Sequence, residues 1–291
     1  MSIAMDSMCF QCHLRRYLDT ARQHGDETKA TAFAKKLMQV YLDLPEGSSS
    51  PELGPAVNRL LLEDYGLEAD RLRPEKEASN DFVLARLGQI RTMVETAQDP
   101  VYAALQFAVL GNYLDFAALQ GKVSFTDLDR MLAKALEMEL DKETYDVFCK
   151  DLQAGKRVLY LTDNAGEIGF DRVFAEQLQK AFPHLQITFC VRGGPIQNDA
   201  TREDAARMDL PFPVIDSGNT VGGTVIGLLG QQARDALEAA DVIIAKGMGN
   251  TETMYGCGYN VYYAFLVKCE RIMRYFDRPM MTPMFVKDPK M

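Results

Sequence analysis

Apolar positions in the first half of the chain follow a helical period. Between residues 83 and 94 an apolar stripe recurs at i, i+4, i+7 and i+11, formed by Val83, Leu87, Ile90 and Val94. Residues 101–119 form a longer, strongly apolar stretch, and residues 45–55 are rich in Gly, Ser and Pro. The pattern predicts helices up to about residue 150, with a loop over residues 45–55.

The pattern changes after about residue 155, where short apolar runs alternate with stretches of helical spacing. Runs of this kind predict strands at 157–162, 187–191, 212–215, 242–245 and 280–286, and helices at 170–182 and 231–240. Residues 261–269 suit either a strand or a helix. Alternating strands and helices favour a mostly parallel sheet covered on both faces. We therefore predict an α/β fold: a three-layer α/β/α sandwich over 151–291, preceded by a helical region over 1–150.

The composition of the chain is that of an ordinary globular protein, with 47% hydrophobic and 25% charged residues among 291. The formal net charge of -9 argues against nucleic acid or an anionic membrane as a partner, because both need a basic surface. The first residues show neither a signal peptide nor an apolar run of membrane-spanning length. We expect a cytoplasmic protein with six reduced cysteines.

Polar side chains follow three of the predicted strands, where ligands bind in open α/β sheets. Asp163 and Asn164 follow the first strand and Asp199 comes shortly after the second. Side-chain oxygens of this kind suit a hard divalent cation such as Mg²⁺ or Mn²⁺. The sequence therefore predicts a metal site built from these three residues.

The fourth strand is followed by Lys246 and a glycine-rich turn that begins at Gly247. A lysine and free backbone amides there suit a phosphate group. Three further side chains are candidates for work on the substrate. Asn250 is a candidate hydrogen-bond donor to it, Glu252 a general base or an orienting group, and Glu167 a substrate contact or a carboxylate that answers the dipole of its own helix. Asp115 shares the candidate role of Glu252, and Asp163 is a candidate nucleophile as an alternative to a metal-bound water.

Other site types and simpler roles compete with this prediction. Asp and Asn at strand ends often serve as helix N-caps, although three polar strand ends in one sheet favour a site. The first strand end carries neither a Gly-x-Gly-x-x-Gly dinucleotide motif nor an Asp-x-Asp pair, and the chain contains no Gly-x-Ser-x-Gly elbow. The three histidines lie away from the strand ends, which argues against a zinc site.

Two features of the helical half also carry polar chemistry. Asn112 and Asp115 lie in the apolar stretch and share one helical face if the helix continues through them. Their side chains would then form either a structural network or a contact to the substrate. Cys9 and Cys12 form a Cys-x-x-Cys pair. Two thiols alone make a poor zinc site, so structural thiols or an oxidant-responsive pair are the remaining interpretations.

Taken together, these motifs resemble those of the damage-control phosphatases, the family also known as domain of unknown function 89. The resemblance rests on five segments in the order of that family: Cys9-x-x-Cys12, Gly111-Asn112-x-x-Asp115, Asp163-Asn164-Ala165-Gly166-Glu167, Asn198-Asp199-Ala200-Thr201 and Lys246-Gly247-x-Gly249-Asn250-x-Glu252. The Cys pair resembles that of the microbial stand-alone branch. The resemblance implies a metal-dependent phosphatase acting on small phosphorylated metabolites, such as sugar phosphates or nucleotides.

In residue terms, the resemblance implies that Asp163, Asn164 and Asp199 hold Mn²⁺ or Mg²⁺, with Co²⁺ or Ni²⁺ as further candidates, and that Lys246 contacts the phosphate. Two other functions stay open at this point. An S-adenosylmethionine-dependent carboxyl methyltransferase has been suggested for some members, and a non-catalytic protein that binds phosphorylated metabolites would carry similar motifs.

Overall fold

The core of the protein is a mostly parallel sheet. A computed structural model describes residues 2–115, 119 and 123–289, and within them six strands pair in the order β3-β2-β1-β4-β5-β6. They are β1 (Arg157–Leu161), β2 (Gln186–Val191), β3 (Val214–Asp216), β4 (Val242–Lys246), β5 (Val261–Leu266) and β6 (Pro283–Lys287). The first five are parallel and β6 pairs antiparallel with β5. The chain moves outward from β1 to β3, then restarts at β4 on the other side. The crevice that such a reversal creates lies beyond β1 and β4.

Helices cover both faces of this sheet and give it the three predicted layers. The helices that follow or precede its strands are α8 (Lys142–Ala154), α9 (Glu167–Ala181), α10 (Arg202–Arg207), α11 (Gln231–Ala239), α12 (Gly247–Met254) and α13 (Glu270–Phe276). Alternate residues of β1 feed two separate cores, because successive side chains of a strand point to opposite faces. Val158 and Tyr160 pack with α8 and α9, whereas Leu159 and Leu161 pack with α11, α12 and α13. The α/β sandwich predicted from the sequence is confirmed.

The N-terminal half is helical, as predicted, and part of it belongs to the main core. Its helices are α1 (Ser7–Gln23), α2 (Glu27–Asp43), α3 (Gly54–Tyr65), α4 (Arg73–Leu84), α5 (Leu87–Glu95), α6 (Pro100–Gly111) and α7 (Phe125–Leu132). The first three share a small core of their own. Helix α6 is buried over almost its whole length and shares a core with β1 and α9. The division of the chain at residue 150 stays a prediction.

Several predicted boundaries need correction. Residues 261–266 form a strand, which settles the ambiguous segment, because a fully buried run of aromatic and β-branched residues fits the centre of a sheet. The predicted loop over 45–55 contains a 3₁₀ turn, Ser50–Leu53, and the first residues of α3. The strand predicted at 212–215 starts only at Val214, after Pro213, which has no N–H to donate. In the described part of the chain, no helix is long and apolar enough to cross a membrane.

Candidate active site

The loops after β1 and β2 lie side by side and bring the predicted metal ligands together. Asn164 and Asp199 form an isolated antiparallel bridge. On either side of it the Ala200 amide donates to the Asp163 carbonyl at 2.7 Å and the Ala165 amide donates to the Asn198 carbonyl at 2.9 Å. These backbone bonds fix the two loops against each other, so the carboxylates of Asp163 and Asp199 share one end of the sheet.

The Asp163 carboxylate is held on one side by amide donors. Its Oδ2 accepts from Asn112 Nδ2 at 2.9 Å and from Asn164 Nδ2 at 2.7 Å. The same carboxylate lies against the backbone of Gly247, the first residue of α12, whose φ is +78°. Its other oxygen, Oδ1, accepts no hydrogen bond from the described residues and lies 3.9 Å from Nη2 of Arg192. One oxygen of Asp163 is therefore anchored and the other is left for a ligand.

Burial and like charges make this cluster costly to ionise. Burial, Glu167 and then Asp199 raise the pKa of Asp163 well above its usual range. Burial also raises the pKa of Asp199 to about 6, against the opposing effect of Arg192, whose Nε donates to Asp199 Oδ2 at 2.7 Å. Two neighbouring buried carboxylates of this kind are stable as anions only beside a cation.

The donor set at this point fits a hard divalent metal ion. In residues 2–115, 119 and 123–289, no three side chains drawn from His, Cys, Asp and Glu stand close enough to hold a metal. The set available is therefore two carboxylates with the amide oxygen of Asn164. Asn198 Nδ2 donates to that oxygen at 2.9 Å, which fixes the amide orientation. Oxygen ligands with room for water suit Mg²⁺ or Mn²⁺ rather than Zn²⁺.

Lys246 does not have the position expected of a phosphate contact. Its ammonium is completely buried and donates to Ala108 O at 2.8 Å, Glu167 Oε1 at 2.7 Å and Asp171 Oδ1 at 2.6 Å. An ammonium has three donors, and all three are taken. The lysine thus balances two buried carboxylates below the site. The prediction that it meets the phosphate does not fit this geometry.

Glu167 and Asn250 are likewise engaged inside the protein rather than facing a substrate. Glu167 lies in the first turn of α9, fully buried, and accepts from Asn112, Asn164 and Lys246. Its position matches the alternative role of a first-turn carboxylate. Asn250 donates to Thr162 O and Lys246 O, and its own oxygen accepts from Thr224 Oγ1 at 2.8 Å. Both side chains therefore hold neighbouring residues of the candidate site in place.

Asn112 and Asp115 reach the site, although not from one helical face. Helix α6 ends at Gly111, so the helix assumed to continue through both residues is wrong, and Asn112 instead caps its end. That position aims Nδ2 at Asp163, while Asn112 Oδ1 accepts from the Leu266 amide at 3.0 Å. Asp115 accepts from Lys268 Nζ at 2.6 Å. The two residues therefore link the helical half to the ends of β1 and β5.

Glu252 lies on α12, where the charges of Arg271 and Asp115 act on it. It is buried, and burial raises its pKa to about 7, with Arg271 opposing the rise and Asp115 adding to it. A carboxyl group with a pKa near neutrality suits proton transfer. Its predicted role as a general base or an orienting group is compatible with this position.

Two cationic side chains near the candidate metal ligands, Arg192 and Lys268, were not predicted from the sequence. Arg192 follows β2 directly, so the strand-end rule used for Asp163 would have found it. Lys268 lies two residues after β5 and was missed because that segment was not assigned as a strand. Its ammonium donates to Asp115 and, at 2.8 Å, to Asn112 O, and it opposes the rise in the pKa of Asp163. Lys268 is thus a cation that acts electrostatically on the candidate metal ligand.

The Cys-x-x-Cys pair lies on α1, where both thiols are unpaired. Cys9 is buried, and burial raises the pKa of its thiol to about 11. A thiol with so high a pKa stays protonated near neutral pH and is a weak nucleophile. This agrees with the structural interpretation of Cys9.

Comparisons with known proteins assign this chain to a family. Residues 5–281 match the model of the damage-control phosphatase ARMT1-like domain. The chain is 32% identical over 285 residues to an uncharacterized protein of Methanocaldococcus jannaschii, covering 93% of this chain and 91% of that protein. It is also 32% identical over 279 residues to a damage-control phosphatase of Archaeoglobus fulgidus, covering 92% and 93%.

A solved structure has the same fold. A protein of Pyrococcus horikoshii, described as a member of the family of domain of unknown function 89, superimposes with a TM-score of 0.82, at 22% identity and over 98% of this chain and 99% of that one. The sequence match extends over nearly the whole chain, and the fold agrees with it. The protein belongs to the family of the damage-control phosphatase ARMT1-like domain.

Proposed function

We propose that this protein is a metal-dependent phosphatase that hydrolyses phosphate esters of small metabolites. The observation that carries the proposal is the bridge between Asn164 and Asp199, which joins the loops after β1 and β2 and brings Asp163, Asn164 and Asp199 to the crevice beyond β1 and β4. Two buried carboxylates repel a phosphate unless a cation lies between them. The name of the Archaeoglobus fulgidus relative, a damage-control phosphatase, supports the same activity.

In this proposal Asp163, Asn164 and Asp199 hold Mn²⁺ or Mg²⁺, with Co²⁺ or Ni²⁺ as further candidates. When bound, such an ion lowers the pKa of a water molecule and offsets the charge of the phosphoryl group. The role of the protein is to hold the metal ligands in fixed positions. Asn112 and Asn164 donate to Oδ2 of Asp163, its inner oxygen, and thereby orient Oδ1, its outer oxygen.

Lys268, rather than Lys246, is the lysine that we assign to the phosphate. Both side chains are fully buried, but among the described residues all three donors of Lys246 have acceptors and only two of those of Lys268 do. The donors of Lys268 go to Asp115 and to the Asn112 carbonyl, and its charge opposes the rise in the pKa of Asp163. A phosphate oxygen arriving there shares or replaces the bond to Asp115, and a charge-assisted bond of this kind contributes about 1.5–3 kcal/mol. Glu252, with a pKa of about 7, is the proposed proton carrier.

The two other candidate functions fit the geometry less well. A methyltransferase of the usual type has an acidic residue at the end of its second strand, where this chain has Arg192, already bonded to Asp199. A non-catalytic phosphate-binding protein has no use for two adjacent carboxylates whose ionisation is costly. S-adenosylmethionine binding without metal would favour the first alternative, and phosphate-ester binding without turnover the second.

The decisive experiment is hydrolysis of para-nitrophenyl phosphate by chelator-treated protein, with and without added Mn²⁺, Mg²⁺, Co²⁺ or Ni²⁺. Turnover should return with metal and disappear in Asp163→Ala. Asp216→Ala is the matched control, because Asp216 also ends a strand of the sheet but pairs with the exposed Arg202. Activity in Asp163→Ala equal to that of Asp216→Ala would refute the assignment of the site.

A further inference from the structure

Arg192 is a buried arginine that joins three motifs of the candidate site. It follows β2 directly, and only 2% of its surface is exposed. Its Nε donates to Asp199 Oδ2 at 2.7 Å, and its Nη2 donates to Asn250 Oδ1 at 3.3 Å and lies 3.9 Å from Asp163 Oδ1. These partners come from the loops after β1 and β2 and from α12. Arginine is seldom buried unless its charge is paired, and here it is paired on two sides.

The direction of these bonds determines which oxygens stay available. The Nε bond occupies Oδ2 of Asp199, just as the amides of Asn112 and Asn164 occupy Oδ2 of Asp163. In each carboxylate one oxygen is thus tied to the protein, and among the described residues nothing donates a hydrogen bond to the other. A planar guanidinium is suited to this task, because its donors have a fixed relative geometry.

Arg192 is not placed as a contact to the substrate. Two of its nitrogens already have acceptors inside the protein, and the side chain is almost inaccessible. It also borders a cleft of about 200 Å³ together with Lys76 and Thr201, and the residues that line this cleft do not include Asp163 or Asp199. Its influence on a ligand at the carboxylates therefore passes through Asp199 and Asn250.

We propose that Arg192 is a positioning residue that holds Asp199 in register with Asp163, so that their outer oxygens bind one cation together. The proposal rests on the metal site of the proposed function but not on the reaction. Partners that hydrogen-bond a metal ligand are worth about 10–100-fold in metal affinity. A competing effect has the opposite sign, since a guanidinium near a cation repels it. We expect orientation to prevail, because without its bond the buried Asp199 loses both its fixed rotamer and its counter-charge.

The test measures Mn²⁺ binding to chelator-treated protein, by the loss of the free-ion electron paramagnetic resonance signal. Arg192→Gln should bind Mn²⁺ about 10–100-fold more weakly than the wild type. Arg192→Lys keeps the positive charge but loses the planar guanidinium with its fixed donor geometry. This variant should bind Mn²⁺ about tenfold more weakly than the wild type. Arg202→Gln is the matched control: it removes an arginine paired with Asp216 at the next strand end, and its affinity should be unchanged. Thermal melting of each variant checks the fold.

The outcomes separate this proposal from the proposed function. Binding by Arg192→Gln as tight as, or tighter than, that of the wild type would overturn it, even if the wild type hydrolyses phosphate esters. Wild-type affinity in Arg192→Lys would also overturn it, because charge alone would then suffice; this variant decides the matter if Arg192→Gln does not fold. A wild type that binds Mn²⁺ without turnover would refute only the phosphatase, and one that binds no metal would refute both.

Discussion

Replacing Gly247 by alanine should inactivate the enzyme while leaving it folded. A Cβ atom built on Gly247 would lie 2.7 Å from Oδ1 of Asp163 and closer still to its Oδ2, whereas real Cβ atoms essentially never approach within 3.0 Å of a neighbour. The Asp163 carboxylate must therefore move, by roughly 1 Å, and a displacement of that size costs about 100-fold in rate when it affects a reacting geometry. The contacts of Asp163 with Asn112 and Asn164 would be disturbed at the same time.

The substitution also carries a backbone cost that has to be separated from the effect on Asp163. Gly247 has a φ of +78°, and a residue with a Cβ pays about 1–2 kcal/mol in that region. Gly258→Ala is the control, because its φ is +81° and a Cβ there would meet nothing within 4 Å. Both variants should lose a few degrees of melting temperature, about 2–4 °C per kcal/mol for a chain of 150–250 residues.

The assay compares metal-dependent hydrolysis of para-nitrophenyl phosphate and Mn²⁺ affinity in the two variants. Gly258→Ala should retain wild-type turnover and affinity, and Gly247→Ala should lose about 100-fold in turnover and bind Mn²⁺ more weakly. Equal activity in the two variants would show that the position of the Asp163 carboxylate does not matter for turnover. The assignment of that residue to the site would then be refuted.

Three further predictions test the charged groups. Lys246→Met should lower the free energy of unfolding, measured by urea denaturation, by about 3–5 kcal/mol, because it leaves the buried carboxylates of Glu167 and Asp171 without their cation. A loss below about 1 kcal/mol would contradict the buried triad of these three residues. Glu252 has a pKa raised from 4.5 to about 7, so its contribution to stability is present below pH 4.5 and lost as the pH rises through 7. Glu252→Gln should therefore gain stability relative to the wild type between pH 5 and pH 8, and a constant difference would refute this. Lys268→Met should raise KM for phosphate esters about tenfold with a smaller change in kcat, and an unchanged KM would speak against the phosphate contact.

Hydrophobic periodicity was enough to predict the fold class. The change from helical spacing to short buried runs near residue 155 depends on local sequence, and so do the strand ends where Asp163, Asn164 and Asp199 stand. Ligand positions relative to a parallel sheet follow a general rule, so the candidate metal ligands could be named from the sequence. Segments without a clear period, such as residues 261–269, could not be assigned, and Lys268 was missed with them.

The tertiary structure alone decided what each charged side chain faces. Lys246, Glu167 and Asn250 stand at the expected strand and helix ends, yet each turns inward, because burial forces a charge or an amide to find every partner it needs. A motif records which residues are near one another along the chain, but not which groups each of two lysines contacts. That choice depends on contacts between elements more than 100 residues apart, such as those of Lys268 with Asn112 and Asp115. The sequence determined where the candidate site lies, and the packing of the helical half onto the sheet determined which side chains surround it.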